Sequence, residues 1–319
     1  MEYRRLGSAG MKVSVISFGG WLNFGEGVMA EELAGQLITT AYDQGINFFD
    51  IADIYRKGEA ETQMGKILKQ FPRQNLVISS KVFWPMSDNV NDRGLSRKHI
   101  MESIDASLKR IGTDYLDIYF CHRHDPETTA LEVARAMTDL IQQGKILYWG
   151  TSEWTGQEVQ EVCDVCEKYH LYKPQTDQPQ YSLVHRKRVE QTLLPVTKKE
   201  GMGLVVWSPL GQGFLTGKYD GGIPENTRLG REKWAQERFF QGDLAERSRK
   251  LQPIADEMSI TRGQLALAWI LHEQGVSSAI TGATQKEQLL ENVKAANITL
   301  SEQTLAQLND LFNPALESE

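Results

Sequence analysis

The chain has 319 residues, of which 40% are hydrophobic, and this favours one large core and a single domain over residues 1–319. The formal net charge of −7 argues against nucleic acid or an anionic membrane surface as the main partner. No stretch approaches the run of about 18 apolar residues that a membrane span needs, the N-terminus lacks the apolar run of a signal peptide, and three cysteines give no disulfide framework. We therefore expect a cytoplasmic protein without direct membrane insertion.

One junction recurs along the chain: a helical segment ends at a glycine, and a short apolar run follows. The glycines are Gly45, Gly112, Gly144 and Gly201. Glycine closes helices because it adopts the left-handed conformation readily, and short runs that are apolar throughout are typical of parallel strands buried on both faces. With the other runs of this kind, the sequence gives eight strand candidates, at residues 15–18, 46–50, 76–81, 115–122, 146–151, 175–178, 204–207 and 278–281.

The segments between these runs have helical spacing. Ile100, Ile104 and Ile111 repeat on one helical face, and Ser96 and Thr128 are the expected N-caps of two of the helices. The Cys-x-x-Cys pair at residues 163 and 166 lies in such a segment, so we interpret it as part of a buried helical face.

Alternating strands and helices imply parallel crossovers, in either an open sheet or a closed barrel. Eight repeats favour the (β/α)8 TIM barrel. Residues 3–13, with Gly-Ser-Ala-Gly at the centre, predict a hairpin that could plug the bottom of the barrel. Residues 222–249 suit a long loop over the site, and residues 299–312 predict a last helix. The expected fold is therefore an α/β TIM barrel with an N-terminal β-hairpin plug and extra C-terminal helices.

Four chemically active side chains follow three consecutive strand candidates. Asp50 ends the second candidate and Tyr55 lies in the loop after it, Lys81 ends the third, and His122 ends the fourth. A polar residue at one strand end means little, because every strand ends near water. Four such types on adjacent strands are harder to dismiss, since the carboxyl ends of barrel strands form the active-site face.

This group of residues suits proton donation to a carbonyl. A free phenol has a pKa of ~10, and an ammonium ~4 Å away would favour the phenolate by up to ~4 kcal/mol at an effective dielectric of ~20. We therefore expect Lys81 to bring the pKa of Tyr55 toward working pH, where general acid catalysis is most effective. Asp50 would hold Lys81 charged, and His122 would orient the substrate oxygen. Such a group needs a separate source of hydride.

The stretches GINFFDIADIY, ISSKVFW, GLSRKHI, YWGTSEW, WSPLGQGFLTGKY and TGATQKEQLLEN resemble the aldo-keto reductase superfamily over nearly the whole chain. Within it, the sequence is most similar to the voltage-gated potassium-channel beta subunits and their bacterial relatives. The resemblance implies NADPH-dependent reduction of aldehydes and ketones to alcohols, with Asp50, Tyr55, Lys81 and His122 as the catalytic tetrad. It also implies a homo-oligomer, with the tetramer as the form suggested by the beta subunits.

The same resemblance implies where NADPH/NADP+ would bind. Ser152 and Gln178 would contact the carboxamide, Trp207 would stack on the nicotinamide, and residues 208–215 would cradle the pyrophosphate. The full set of implied contacts is Gly20, Trp21, Asp50, Ser152, Gln178, Trp207, Ser208, Pro209, Leu210, Gly213, Leu215, Lys218, Arg228, Gly282, Thr284, Gln288, Glu291 and Asn292. Of these, Lys218, Arg228, Thr284 and Gln288 match positions that hold the 2′-phosphate, which favours NADPH over NADH. The residues expected to line the substrate site are Trp21, Tyr55, Trp84 and His122.

The sequence departs from the family pattern at two positions. The channel beta subunits carry Asn where this chain has His122, which favours a working enzyme. Many members have Asn where Glu153 stands here, which removes one expected carboxamide donor next to the nicotinamide.

The sequence is also compatible with two other functions, a metal site and a regulatory subunit. His122, His124 and Asp125 form an HxHD that could seed a metal site, but the other four histidines fall in or beside predicted helices, so we expect no metal. The second is a regulatory, beta-type subunit that binds NADP(H) for a membrane channel with little turnover. We favour the enzyme acting on a small carbonyl compound, because His122 is present and the long N-terminal extension that such subunits can use is not.

Overall fold

The computed structural model describes residues 1–21, 24–25, 29–225, 227–231 and 243–317. The chain begins with an antiparallel hairpin of β1 (Tyr3–Arg5) and β2 (Lys12–Ser14). At its turn, Ser8 N donates to Gly201 O at 2.7 Å, and a Cβ on Gly7, whose φ is +57°, would collide with the same carbonyl. Only glycine allows the hairpin to approach the barrel this closely.

The hairpin closes the amino-terminal end of a barrel of eight parallel strands. The strands are β3 (Ile16–Gly19), β4 (Phe48–Asp50), β5 (Val77–Val82), β6 (Leu116–Cys121), β7 (Ile146–Ser152), β8 (Thr176–Gln178), β9 (Gly203–Val206) and β10 (Val276–Thr281). Each pairs with the next, and β10 pairs with β3 to close the ring. All eight strand predictions, the closed barrel and the hairpin plug are therefore confirmed.

Two apolar cores hold the barrel together. Leu6 and Val13 of the hairpin region pack inside the barrel with Phe48, Val77 and Ile118, and all but Val77 are 0% exposed. The larger core lies between the strands and the surrounding helices and extends from Val15 to Phe312. Burial of apolar area on both sides of the sheet explains why strands such as β6 and β9 are mostly apolar, whereas β8 is buried but consists of Thr-Asp-Gln.

The longer helices alternate with the strands along the chain. They are Glu31–Asp43, Glu59–Leu68, Arg97–Ile111, Ala130–Gln142, Gly156–Tyr169, Leu194–Glu200, Arg262–His272, Lys286–Lys294 and Glu302–Leu311. The four junction glycines all have φ between +71° and +85°, so their predicted role as helix terminators is confirmed. The last of these helices confirms the prediction for residues 299–312.

One of the two predicted N-caps is wrong. Ser96 caps its helix by accepting from His99 N, as predicted, but Thr129 rather than Thr128 accepts from Glu132 N. The hydroxyl of Thr128 instead donates to Asp125 Oδ2 at 2.9 Å. The neighbouring carboxylate therefore takes the hydroxyl that sequence alone assigned to the helix.

The predicted loop over residues 222–249 is helical at Arg228–Arg231 and Leu244–Arg249, and residues 232–242, including Trp234, lie outside the described residues. The loop prediction is therefore wrong for these two segments. Short helices of this length gain little from intrinsic propensity, so their periodicity is weak in the sequence. Within the described ranges, no helix is long and apolar enough to cross a membrane.

The Cys-x-x-Cys pair lies on the buried face of helix Gly156–Tyr169. Both thiols are free and 0% exposed, and burial raises the pKa of Cys163 and of Cys166 to about 12. A reactive cysteine needs a stabilised thiolate, so the interpretation as part of a packed helical face is confirmed.

Candidate active site

Lys81 is the centre of a buried polar cluster at the carboxyl ends of the strands. Its Nζ lies 2.7 Å from Asp50 Oδ2, 2.7 Å from the carbonyl oxygen of Ile51 and 3.3 Å from the hydroxyl of Tyr55. The side chain is 0% exposed. Lys81 thus meets a segment about 30 residues earlier in the chain, because β4 and β5 are adjacent and parallel.

The carboxylate of Asp50 is held by more than the ammonium. Ser79 Oγ donates to Asp50 Oδ1 at 2.7 Å, and Gln178 Nε2 donates to the same oxygen at 2.9 Å from the other side of the barrel. Both oxygens are therefore acceptors in a fully buried network, which fixes the carboxylate in one orientation.

The net charge environment of Lys81 favours the ammonium. Burial alone lowers the pKa of the amine, but the Asp50 carboxylate and Tyr55 more than offset burial, and the pKa lies above its ordinary value. The ammonium is therefore present throughout the neutral range, as the sequence predicted.

The expectation for Tyr55 itself is wrong in direction. Burial raises the pKa of the phenol, Lys81 lowers it, and Asp50 raises it again, so the pKa lies above the ordinary value and not near working pH. The expectation rested on the Lys81 ammonium alone, whereas burial of the phenol and the negative charge of Asp50 both act in the opposite direction. Tyr55 is consequently a neutral phenol whose hydroxyl proton is present at any physiological pH.

The backbone after β4 turns sharply to present Tyr55. Residues Tyr55–Gly58 form a 3₁₀ turn, within which Arg56 and Lys57 both have φ of +52° and Gly58 has φ of +91°. Non-glycine residues in this region are strained and are common where function requires a fixed geometry.

The imidazole of His122 completes the group. Its ring centroid lies 5.9 Å from that of Tyr55 and nearly perpendicular to it. Burial, Lys81 and Arg123 lower the pKa of His122 well below the ordinary value, so the ring is neutral. Nδ1 is buried without a hydrogen-bond partner among the described residues.

Aromatic rings surround these groups at the mouth of the barrel. The centroid of Trp21 lies 6.5 Å from that of Tyr55 and 5.8 Å from that of Trp207, and the centroid of Trp84 lies 6.4 Å from that of His122. Trp84 is 37% exposed. The structure therefore brings together all the residues that the sequence assigned to the substrate site.

Ser152 and Gln178, the expected carboxamide contacts, end neighbouring strands. Ser152 Oγ donates to the carbonyl oxygen of Gln178 at 2.9 Å, both side chains are buried, and Gln178 contacts Asp50. The serine hydroxyl retains its acceptor lone pairs, which suits an amide N–H of a ligand.

Glu153 takes a position that the sequence did not anticipate. With φ of +61°, it aims its carboxylate at the indole N–H of Trp207, 3.0 Å away, and at Arg188 Nη2, 3.1 Å away, and it also accepts from Gln180 N. The residue that lacks the family's amide donor thus holds the aromatic ring that is expected to stack on the nicotinamide.

The loop after β9 enters the left-handed region of backbone conformation at four residues. Ser208, Gly211, Gln212 and Gly213 have φ of +50°, +54°, +55° and +91°. Gly211 N donates to Ser208 O at 2.9 Å and Gly213 N donates to Leu210 O at 3.0 Å, so the loop is a series of tight turns. A Cβ on Gly213 would lie 2.6 Å from Nζ of Lys218, so this exposed cation lies directly over the loop.

Gln212 supplies an independent sign of a missing partner. Its side chain is 5% exposed, yet neither the amide nitrogen nor the amide oxygen has a hydrogen-bond partner among the described residues. Buried amides are normally satisfied. A polar group bound at this loop would satisfy the amide, so Gln212 fits a polar ligand such as a dinucleotide.

Most of the remaining residues that are expected to contact the cofactor lie after β10. Gly282 follows the strand, and Gln288 Oε1 accepts from the backbone N–H of Thr284 at 2.9 Å. Glu291 accepts from Thr261 Oγ1 at 2.7 Å, and Asn292 is buried. Arg228 begins the helix Arg228–Arg231, and its side chain lies outside the described part of the structure.

The side chains of the HxHD segment contact neighbouring residues of a loop. His124 Nδ1 lies 3.1 Å from Glu158 Oε1, and its ring packs on Trp154 with centroids 4.9 Å apart. Asp125 accepts from the backbone N–H groups of Leu95 and Glu127. Over the described ranges, no group of three or more His, Cys, Asp or Glu is placed to hold a metal ion.

Sequence reasoning missed several residues of the mouth. Ser79 and Gln212 carry no signal, because their roles depend on which strand or loop faces them. Arg188 was not assigned to the mouth from sequence, but its Nη1 donates to Trp154 O at 2.9 Å. Arg123 directly follows His122, and that adjacency was the signal that could have identified it.

The fold and the cluster define a class: a closed α/β barrel with a Lys–Asp–Tyr–His group at its carboxyl rim, the active-site face of barrel enzymes. Residues 15–313 match the model of the Aldo/keto reductase family. The chain therefore belongs to the aldo/keto reductase family, whose members are oxidoreductases of carbonyl compounds that generally bind NAD(P)H.

Curated relatives cover almost the whole chain. A probable voltage-gated potassium channel subunit beta of Arabidopsis thaliana is 43% identical over 303 residues, which are 93% of this chain and 92% of the relative. The corresponding probable subunit of Oryza sativa subsp. japonica is 42% identical over the same shares. A putative subunit of Schizosaccharomyces pombe is 43% identical over 322 residues, 98% of this chain and 94% of the relative. The resemblance stated from the motifs is thereby confirmed.

Proposed function

We propose that the protein reduces aldehydes and ketones to alcohols with NADPH, and that Tyr55 is the general acid. One observation carries the proposal: a fully buried Lys81 contacts both Asp50 and the Tyr55 hydroxyl at the barrel mouth. The ring centroid of Tyr55 lies 5.9 Å from that of a neutral His122. This arrangement favours proton transfer from a single oxygen atom, the hydroxyl of Tyr55.

NADPH, when bound, supplies hydride to the carbonyl carbon. The carbonyl oxygen lies between the Tyr55 hydroxyl and the His122 ring, which fixes its direction. As the π electrons move onto that oxygen, it becomes a far stronger base than a phenolate, and Tyr55 transfers its proton to it. The O–H bond of the phenol breaks, the O–H bond of the alcohol forms, and solvent later restores the proton to Tyr55.

The raised pKa of Tyr55 is compatible with this role. A raised pKa keeps the Tyr55 hydroxyl protonated before the reaction. Lys81 Nζ lies 3.3 Å from the Tyr55 oxygen, on which negative charge develops. A preorganised charge of this kind stabilises the transition state more than the ground state. Asp50 keeps the ammonium charged and in position.

The residues of the loop after β9 would hold the cofactor's pyrophosphate, and Ser152 and Gln178 its carboxamide. Two cations, Lys218 and Arg228, with the neutral donors of Thr284 and Gln288, support NADPH over NADH, because a 2′-phosphate requires charge-assisted partners. In a chain of net charge −7, such a local group of cations is the feature that would offset the phosphate charge.

The second candidate is a regulatory subunit that binds NADP(H) and acts on a membrane channel. Three relatives at 42–43% identity are named as potassium channel beta subunits, which favours the regulatory function. We place the enzyme first because His122 is a neutral imidazole facing Tyr55.

Turnover separates the two candidates. The purified protein is mixed with NADPH and an aromatic aldehyde, a dicarbonyl or a sugar aldehyde, and the loss of NADPH absorbance is followed. Lys81→Met serves as the matched control, because it keeps the side-chain volume and removes the ammonium. We expect turnover of at least one compound that the control lacks. If the protein binds NADPH but equals the control on every compound, the regulatory function replaces the enzyme.

We also infer that residues 1–319 act as one domain, since one apolar core extends from Val15 to Phe312, and that the protein is cytoplasmic, since its three cysteines are free and buried. A homo-oligomer, with a tetramer as the suggested form, completes the proposal. Light scattering of the purified protein gives the number of 36.1 kDa chains directly.

A further inference from the structure

Arg123 is a cation at the substrate mouth that the reaction described above does not use. It directly follows His122 at the end of β6, and its Nη1 donates to the carbonyl oxygen of His122. The guanidinium carbon lies 5.6 Å from the centroid of Trp84. The side chain is partly exposed, so part of the guanidinium beside Trp84 is accessible to a ligand.

Two other cations near the substrate mouth have a carboxylate partner, whereas Arg123 forms no ion pair with any described residue. Lys81 pairs with Asp50 at 2.7 Å, and Arg188 pairs with Glu153 at 3.1 Å. Among the described residues, no carboxylate forms an ion pair with Arg123. Burial lowers the pKa of Arg123, although Glu153 acts in the opposite direction. A partly desolvated guanidinium without a direct counterion is unfavourable unless something else supplies the anion.

The cofactor is not placed to supply that anion. In the barrel the order of strands is β10-β3-β4-β5-β6-β7-β8-β9, so β6 lies directly opposite β10. The residues proposed to hold the phosphates follow β9 and β10. Arg123 follows β6 and therefore lies across the mouth from them, on the side of Trp84, where a substrate enters.

Arg123 also lies within electrostatic reach of the reacting position, because its charge contributes to lowering the pKa of both Tyr55 and His122. An anion held by this guanidinium would belong to a molecule whose other end is at the Tyr55 hydroxyl. The planar guanidinium matches a carboxylate with two parallel hydrogen bonds.

We propose that Arg123 is a specificity-determining residue, which selects carbonyl substrates that carry a carboxylate, with the body of the substrate against Trp84. This inference rests on the proposed carbonyl reduction. It deepens that function by naming the substrate class: aldehydes or ketones that are also carboxylic acids.

The test compares matched substrates and matched variants. The substrates are 3- and 4-carboxybenzaldehyde and their methyl esters, which keep the shape and remove the charge. The variants are Arg123→Gln, Arg123→Lys and, as a control, Arg93→Gln, which removes an exposed charge from the loop after β5. Taking the ratio of acid to ester for each protein cancels the difference in intrinsic reactivity between the two aldehydes.

We expect Arg123→Gln to raise KM for at least one carboxybenzaldehyde by roughly tenfold or more, the size of one charge-assisted interaction. Its kcat and the KM for the esters should change less than about twofold, Arg123→Lys should be intermediate, and Arg93→Gln should equal wild type. If the ratio of the KM for the acid to the KM for the ester is unchanged in Arg123→Gln, the assignment of Arg123 is overturned and the proposed reductase stands. The same holds if wild type reduces the esters but neither acid. If wild type reduces none of the four compounds or the broader panel, both proposals fall.

Discussion

Removal of the Asp50 charge tests how the buried ion pair is built. In Asp50→Asn the shape is kept, but the ammonium of Lys81 loses its only direct carboxylate partner within the described structure while remaining 0% exposed. The Asp50 oxygens accept from Ser79, Gln178 and Lys81, so an asparagine must also point one N–H at a donor. Breaking a buried pair from one side costs about 3–5 kcal/mol, and we expect the free energy of unfolding to fall by that amount.

Urea unfolding followed by tryptophan fluorescence and circular dichroism measures the loss, and equal m-values justify the comparison. Lys81→Met should cost less, because the carboxylate keeps two neutral donors. The double variant Asp50→Asn/Lys81→Met should lose less than the sum of the single losses, by about 2–3 kcal/mol. A loss below about 1 kcal/mol in Asp50→Asn, or strictly additive losses, would refute the coupled pair.

Three further predictions concern Asp53, Arg228 and Glu153. Burial and Glu61 raise the pKa of Asp53 to about 7, so the carboxyl stabilises the native state below about pH 4 and loses that contribution as pH rises through about 7. Asp53→Asn should therefore raise Tm most at pH 8 and little at pH 5, and a pH-independent difference contradicts this sign. Arg228→Ala should raise the Kd of NADPH at least tenfold and that of NADH less than twofold, measured by fluorescence titration; equal losses would remove the phosphate role. Glu153→Gln should weaken both cofactors by about threefold to tenfold, because it loosens Trp207 and leaves Arg188 unpaired; unchanged affinity for both would show that the carboxylate does not position the ring.

The parts of the fold that local sequence determines were predictable. Strands buried on both faces are rich in apolar residues, and a helix that ends in the left-handed conformation favours glycine, so the alternation of strands and helices and four of the junctions could be located. Because strand ends converge in any parallel barrel, the positions of Asp50, Lys81 and His122 followed from the strand boundaries.

What depends on tertiary surroundings was not predictable. The pKa of Tyr55 moves upward because burial and Asp50 together outweigh Lys81, and a sequence shows neither burial nor distance. Thr128 lost its predicted cap because Asp125 lies beside it. The carboxylate of Glu153 meets Trp207, which is 54 residues away, only when β7, β8 and β9 are adjacent.

Removal of the Tyr55 hydroxyl is the most direct test of its role as proton donor. Tyr55→Phe keeps the ring that packs near Trp21 and His122 and deletes the one atom that the proposed chemistry needs. With a carbonyl compound that wild type reduces, kcat should fall by roughly 10²–10⁴, while the Kd of NADPH changes less than about twofold. A variant that binds NADPH and turns over within a few-fold of wild type would contradict the assignment of Tyr55 as the acid.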